Sequence, residues 1–176
     1  MKKIRLVLCV LTMVFSINIQ AQQSINNQKS KVEFKIKGGG LFTVKGTFSG
    51  MKGDFKFDPT QLNTSKFDIC IEAASIDTDN NKRDTHLKSP DFFEVETYPS
   101  ICFNSKSVSK TKDGFETTGD LTIHGVTKTV TIPFGFKNNT FEGSFTVNRF
   151  DYKIGEDIGT FKVGEEAEVT IICQVN

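Results

Sequence analysis

The stretch AEVTIICQV (Ala167–Val175) places an apolar residue at every second position. The stretch FEGSFTV (Phe141–Val147) does the same, with its glycine on the apolar face. A period of two is typical of an antiparallel strand that has one face in a protein core and the other in water. The same alternation recurs along most of the chain, so the sequence predicts an all-β fold.

The segment from Phe42 to Phe57 changes phase, because its apolar residues occupy even positions as far as Phe48 and odd positions from Met51. Such a change predicts a hairpin turn or a β-bulge at residues 49–51. Counted as one bulged strand, this segment brings the predicted total to eight: 31–37, 45–58, 65–78, 99–108, 115–124, 127–136, 140–151 and 165–175. Eight antiparallel strands can close into a barrel whose interior is either filled by side chains or open to one small ligand.

Residues 79–98 show no alternation and predict a short helical insertion between two strands. Ser89 is a candidate N-cap, with Pro90 in the first helical turn. Phe92 and Phe93 follow and require burial. We therefore expect the insertion to form a lid over one end of the barrel.

The apolar face of the predicted strands carries phenylalanines and branched aliphatic residues and no charged residue. Four glycines are interleaved with them: Gly46, Gly53, Gly119 and Gly143. These glycines either widen the interior into a cavity that suits a hydrocarbon chain or only relieve crowding where a small barrel coils. Composition favours neither alternative.

The charge balance excludes one class of function. The chain has 22 basic and 21 acidic residues, which is not the basic surplus expected of a nucleic-acid-binding protein. Its two histidines leave little material for a catalytic triad or a zinc site. We therefore predict no catalytic residues, no metal ligands and no cofactor.

The N-terminus has the layout of a secretory signal. Lysines and arginine in Met1–Arg5 precede the apolar run Leu6–Phe15, and Ala21 provides a small residue for cleavage. The run is shorter than the roughly 20 apolar residues of a membrane span. We predict a signal peptide at 1–21, an N-terminal extension at 22–30 and the barrel domain at 31–176. Cleavage leaves 19 basic and 21 acidic residues, a net charge of −2.

Three cysteines remain after cleavage, in a compartment that permits disulfides. If one strand continues from Cys70 to Thr78 and the next begins at Pro99, an antiparallel register separates Cys70 from Cys102 by roughly 15 Å. A disulfide tolerates Cα atoms no more than about 7 Å apart. We therefore expect Cys70, Cys102 and Cys173 to be free thiols.

Three motifs follow one another along the chain: SIDTDNNKRDTHLKSPDFFEVETYPSICF (Ser75–Phe103), GDLTIHGVTKTV (Gly119–Val130) and NRFDYKIG (Asn148–Gly155). In this order they resemble the YceI-like family of exported bacterial proteins. The resemblance extends over essentially the whole mature chain. It implies a lipocalin-like barrel of eight antiparallel strands, a periplasmic location, an apolar tunnel that binds a polyisoprenoid or a similar long-chain amphiphile, and a possible homodimer.

The ligand-binding residues predicted from the apolar face and the lid are Phe34, Val44, Phe48, Phe55, Ile69, Ile71, Phe92, Phe93, Phe103, Leu121, Ile123, Phe134, Phe145 and Val147. We predict a binding protein and not an enzyme. Two alternatives remain: a cofactor-free isomerase or cyclase acting on a polyene, and an envelope stress or interaction protein with a filled barrel.

The polar residues of the motifs have two interpretations. In one, Arg83 or His86 contacts a pyrophosphate or quinone head group. In the other, which we favour, Arg83 and Asp84 fasten the lid to the barrel rim through charge-assisted hydrogen bonds. The same two interpretations, a head-group contact or a structural role, apply to Arg149 and its neighbours. His124 is expected to be a solvated turn residue.

Overall fold

The computed structural model describes residues 24–40 and 42–176, so the predicted signal peptide lies outside the described residues. Antiparallel strands dominate it: β1 (Lys31–Gly38), β2 (Phe42–Phe48), β3 (Lys52–Lys56), β4 (Lys66–Glu72), β5 (Ser100–Lys110), β6 (Phe115–Ile123), β7 (Val126–Lys137), β8 (Thr140–Asn148) and β9 (Val163–Gln174). One α-helix, α1 (Asn81–Lys88), precedes β5. Short 3₁₀ turns occupy Leu62–Thr64, Ala73–Ser75 and Arg149–Tyr152.

The strands form one curled sheet in the order β2-β1-β9-β8-β7-β6-β5-β4-β3. Its two outermost strands, β2 and β3, are consecutive in the chain and are joined by residues 49–51 alone. The chain therefore links the two edges of the sheet, which curls into a barrel-like wall. The predicted all-β antiparallel fold is confirmed, and the strand predicted at 45–58 is divided at its change of phase, which makes nine strands.

The change of phase has a local cause. Gly50 has a φ of +69°, a conformation that favours glycine, and a Cβ there would lie 2.8 Å from the Glu72 side chain. The next residue, Met51, points into the core and is 1% exposed. The bend at Gly50 therefore moves the inward-facing positions from even to odd numbers.

The segment between β4 and β5 differs from the prediction. Strand β4 ends at Glu72 rather than at Thr78, and α1 begins after Asn80, whose side chain accepts a hydrogen bond from the Arg83 amide. Ser89 ends this helix and does not begin one, since its hydroxyl donates to the His86 carbonyl at 2.7 Å. The helix stops there because Pro90 cannot continue it.

The prediction of three free thiols is wrong. Cys70 lies directly opposite Cys102, with a Cα–Cα distance of 4.1 Å, and the two form a disulfide. The error follows from the strand end: Glu72 pairs with Ser100, so each cysteine lies two positions from the edge of the β4–β5 ladder. Cys173 is free and buried, and its burial raises the pKa of the thiol to about 11.

The inward glycines mostly relieve crowding. A Cβ at Gly46 would lie 2.5 Å from the Phe34 ring, and a Cβ at Gly119 would lie 2.7 Å from the Phe103 ring and 2.4 Å from a backbone oxygen. These aromatic rings occupy the space that the glycines leave. Of the four glycines, Gly143 alone is among the residues that line the internal cavity described below.

One prediction concerns the disulfide. The mature chain, denatured without reductant, should show one titratable thiol, and three after reduction. Replacing Cys70 and Cys102 by alanine should lower the free energy of unfolding by about 3–4 kcal/mol, because the bond closes a loop of 32 residues. Chemical denaturation measures this loss. Reduced wild type is the control and should match the double variant; three thiols before reduction would contradict the pairing.

Candidate ligand-binding site

The sheet encloses an apolar cavity of about 250 Å³, and all nine strands contribute to its wall. Every predicted binding residue except Val44 lines this cavity: Phe34, Phe48, Phe55, Ile69, Ile71, Phe92, Phe93, Phe103, Leu121, Ile123, Phe134, Phe145 and Val147. Their role in binding stays a prediction. Val44 is absent from this lining and borders a second groove together with Thr78 and Arg83.

The cavity is long and narrow. Along β9 its lining residues extend from Val163 to Cys173, and ten residues span about 33 Å of strand or about 25 Å along the axis of a tilted barrel. A volume of about 250 Å³ drawn out over such a length suits an extended chain better than a compact ring system. Shape alone therefore favours an extended hydrocarbon.

A cluster of phenylalanines closes one end of the barrel. The ring of Phe57 lies between 5.1 and 6.2 Å from the rings of five others: Phe67, Phe115, Phe134, Phe136 and Phe141. Most of these contacts are edge-to-face, the arrangement that aromatic pairs prefer. The central part of the barrel is less filled, since Phe145, Val169 and Ile171 line the cavity and remain only partly buried.

The lid covers the other end. Leu87 of α1 and the following Phe92 and Phe93 line the cavity from this side, and the Phe93 ring packs edge-on against Phe48 at 5.4 Å. Phe92 is 5% exposed and packs against Gly155, where a Cβ would approach its ring to 2.9 Å. The lid therefore covers the cavity with apolar side chains only.

Arg83 and Asp84 hold the lid in place and do not face the cavity. Both residues bond to Thr78: the Arg83 Nε donates to its hydroxyl at 2.7 Å, and an Asp84 carboxylate oxygen accepts from its amide at 3.0 Å. Thr78 follows Asp77, which bridges Thr47 of β2. This confirms the interpretation in which the Arg-Asp pair fastens the lid to the rim.

Arg149 is the one charged residue among those that line the cavity in the described chain. It is 4% exposed, and its five N–H groups donate to the carbonyl oxygens of Ile154, Gly155, Ile158, Val163 and Gly164. Burial lowers the pKa of the guanidinium, and Glu165 opposes that shift. Because all five donors are used, Arg149 shapes the loop before β9 and has no donor left for a head group.

The two histidines also face away from the cavity. His86 is exposed, bonds to Asp91 at 2.9 Å and packs against the outer edge of Phe92. The expectation of a solvated His124 is wrong, because its side chain is only 13% exposed. Its Nδ1 lies 3.1 Å from the Tyr152 carbonyl, and Tyr98 covers the ring.

Sequence reasoning missed several cavity residues. Ile36, Val169 and Ile171 share the alternation that identified the predicted set and could have been found from it. Leu87, Arg149 and Ile154 lie in the helix or in turns, where no periodicity marks which side chain points inward.

The described part of the chain has no cluster of three or more His, Cys, Asp or Glu side chains suited to a metal ion. No helix within 24–40 and 42–176 has the length and apolar character that a membrane crossing requires. The site offers a narrow shape, apolar contact and an apolar cover. These are the properties of a barrel that holds a small apolar ligand.

Comparison with known proteins agrees with this class. The model of the YceI-like domain matches residues 23–175, and the chain therefore belongs to the YceI-like family. It is 35% identical to the protein YceI of Escherichia coli over 173 residues, which covers 90% of this chain and 91% of that protein.

Two solved structures share the fold. BcnA of Burkholderia cenocepacia superposes with a TM-score of 0.78 at 27% identity, over 86% of this chain and 99% of that one. A polyisoprenoid-binding domain from Saccharophagus degradans superposes with a TM-score of 0.66 over 88% and 98% of the two chains. At 12% identity, the second likeness shows the fold alone.

A second prediction tests the cavity wall. Phe145→Asp places a carboxylate in apolar space, so the free energy of unfolding should fall by several kcal/mol, on the order of 3. Ser144→Asp is the matched control, because Ser144 is the exposed neighbour on β8 and faces Thr170; it should change stability by less than about 0.5 kcal/mol. Chemical denaturation compares them, and equal losses would mean that the inner face is assigned wrongly.

A third prediction distinguishes the two roles of Arg149. A lysine has three donors in place of five and cannot reach the same carbonyls, so Arg149→Lys should lower the free energy of unfolding by about 3 kcal/mol. Arg83→Lys, which affects a partly exposed arginine, should lower it by about 1 kcal/mol. An Arg149→Lys variant with unchanged stability and weaker ligand binding would instead show a head-group contact.

Proposed function

We propose that this protein binds a polyisoprenoid, or a similar long-chain amphiphile, in the cavity and carries it in the periplasm after export. The observation that carries the proposal is the narrow apolar cavity along the barrel, closed by phenylalanines at one end and covered by apolar lid residues at the other. The domain from Saccharophagus degradans with this fold binds polyisoprenoids, which supports the same ligand class here.

The energetics indicate that the protein recognises its ligand through the ligand's hydrocarbon chain. Each CH₂ group moved from water into an apolar site contributes about 0.8 kcal/mol, so affinity should grow with the length of chain buried. The lining residues supply apolar atoms almost exclusively, and Arg149 directs its donors to backbone carbonyls. We infer a site that selects the length and thickness of a chain and leaves the head group near the lid.

Binding is better supported than catalysis. An isomerase or cyclase that acts on a polyene needs an acid or a base that faces the ligand. Among the described cavity residues, Arg149 is saturated by hydrogen bonds, Cys70 and Cys102 are bonded together, and burial raises the pKa of Cys173 to about 11. None of these groups exchanges a proton readily at neutral pH.

Export is part of the proposal and is supported by the N-terminal sequence, with its basic start, apolar run and Ala21. The Cys70–Cys102 disulfide supports an oxidising compartment, since such bonds persist outside the reducing cytosol. A homodimer, which the family resemblance implies, stays a prediction.

Native mass spectrometry of the protein purified from its own host tests the proposal. We expect a co-purifying lipid that is released by organic solvent and identified as a long-chain isoprenoid or related amphiphile. Phe145→Asp should carry markedly less of it than Ser144→Asp. Ligand-free protein from the native source, with no uptake of added polyprenol, would contradict the proposal and favour a stress or interaction protein.

A fourth prediction concerns the lid. Replacing Phe92 and Phe93 by alanine removes its apolar contact with the cavity, so the off-rate of a bound polyprenol should rise at least tenfold, which corresponds to about 1.4 kcal/mol. Stopped-flow transfer to acceptor vesicles measures the rate. Because Phe92 is also packed against the barrel, Phe93→Ala alone serves as the milder variant. Unchanged off-rates in both variants would make this segment a structural plug.

A further inference from the structure

Two large apolar side chains are exposed to water among the described residues: Phe42 is 60% exposed and Phe161 is 80% exposed. Phe42 begins β2 and Phe161 belongs to the loop before β9, yet both rings lie over the same glycine turn. A Cβ at Gly39 would lie 2.8 Å from the Phe42 ring, and a Cβ at Gly40 would lie 3.3 Å from the Phe161 ring. The Gly39 amide donates to the Lys162 carbonyl at 2.8 Å, which ties the glycine turn to the loop before β9. We call Phe42 and Phe161 the tip patch.

The tip patch borders the end of the cavity opposite the phenylalanine cluster. Phe42 pairs with Gly38, and Gly38 pairs with Val163 at the start of β9. Val163 and Ile36 both line the cavity and are partly exposed, so the cavity reaches the rim beside the two rings. A ligand that cannot pass the closed end must enter and leave near this patch.

We propose that the tip patch inserts into the surface of a phospholipid bilayer, so that the mouth of the cavity faces the membrane. The size of the patch argues against a second copy of the chain as its partner. Two partly exposed rings offer roughly 300 Å² of accessible surface, whereas a stable dimer buries about 800 Å² of each partner. Aromatic rings on an otherwise polar surface suit the boundary between head groups and acyl chains.

Charge has a secondary part in this docking. Lys37 and Lys162 adjoin the patch and can attract anionic head groups, but Glu156 and Asp157 lie in the loop that carries Phe161. Ring insertion therefore supplies most of the attraction, and docking should depend only weakly on salt. The inference rests on the proposed function, because a protein that carries a long-chain lipid must collect that lipid from a membrane.

The chain contains no tryptophan, so Phe161→Trp introduces a single fluorescent reporter. Lys112→Trp is the matched control, because Lys112 is exposed in the turn between β5 and β6, at the closed end. With vesicles of equal parts phosphatidylethanolamine and phosphatidylglycerol, the emission of the Phe161→Trp variant should shift to shorter wavelength and be quenched by brominated lipid. The emission of the Lys112→Trp variant should not change. Equal responses from the two variants, or no response from Phe161→Trp, would overturn the proposal.

The second test is co-sedimentation with vesicles of the double variant Phe42→Ser/Phe161→Ser. Binding should fall at least about tenfold relative to wild type, because two apolar rings are lost from the membrane interface. The polyprenol content of this double variant after loading in detergent should equal that of wild type. An emission shift of the Phe161→Trp variant that depends on protein concentration without vesicles would overturn the proposal in favour of a second copy. Vesicle binding by a wild type that holds no lipid would support docking while contradicting the proposed function.

Discussion

Closure of the sheet by residues 49–51 is the constraint on which the rest of the structure depends. The bend at Gly50 lets one stretch of chain pair with β1 through β2 and with β4 through β3, so the two edges of the sheet belong to neighbouring residues. Met51 anchors the bend in the core, and the Glu72 amide donates to the Ser49 carbonyl at 3.2 Å. Without this bend, the apolar faces of the strands would be open to water.

The same corner organises the lid. Strand β4 ends next to the bend, and the chain then returns along β2 as far as Thr78 before α1 begins. The Cys70–Cys102 disulfide fixes the strands on both sides of this departure. The lid is therefore attached at its base, and Tyr98 at its far end packs against His124 of the β6–β7 turn. Between these two attachments, Phe92 and Phe93 cover the cavity with apolar side chains.

Alternation predicted most of the barrel, because inward and outward positions on a half-buried strand differ in polarity at every step. It also identified most of the cavity wall, including Phe103 and Phe145. The pairing of Cys70 was predicted wrongly for a different reason. It depends on where β4 ends, and that is decided by the non-periodic segment 73–99, whose course the sequence pattern does not reveal.

Arg149 shows a related limit. The sequence favoured a structural role for Arg149 but did not identify its partners, which are five carbonyls of the loop before β9 and of the first two residues of β9. Ile154, Gly155 and Ile158 lie in an irregular loop, where carbonyls lack the partners that a sheet supplies, and one five-donor side chain satisfies them together with the start of β9.

The central claim is that the barrel recognises the hydrocarbon of its ligand. The most direct measurement is the affinity of delipidated protein for a series of prenyl alcohols of increasing length, with the corresponding diphosphates in parallel. We expect affinity to rise by about tenfold or more with each added isoprene unit until the cavity is filled, and then to level off. At each length, the alcohol and the diphosphate should bind similarly. An affinity that does not change with chain length, or one that the head group determines, would contradict the account.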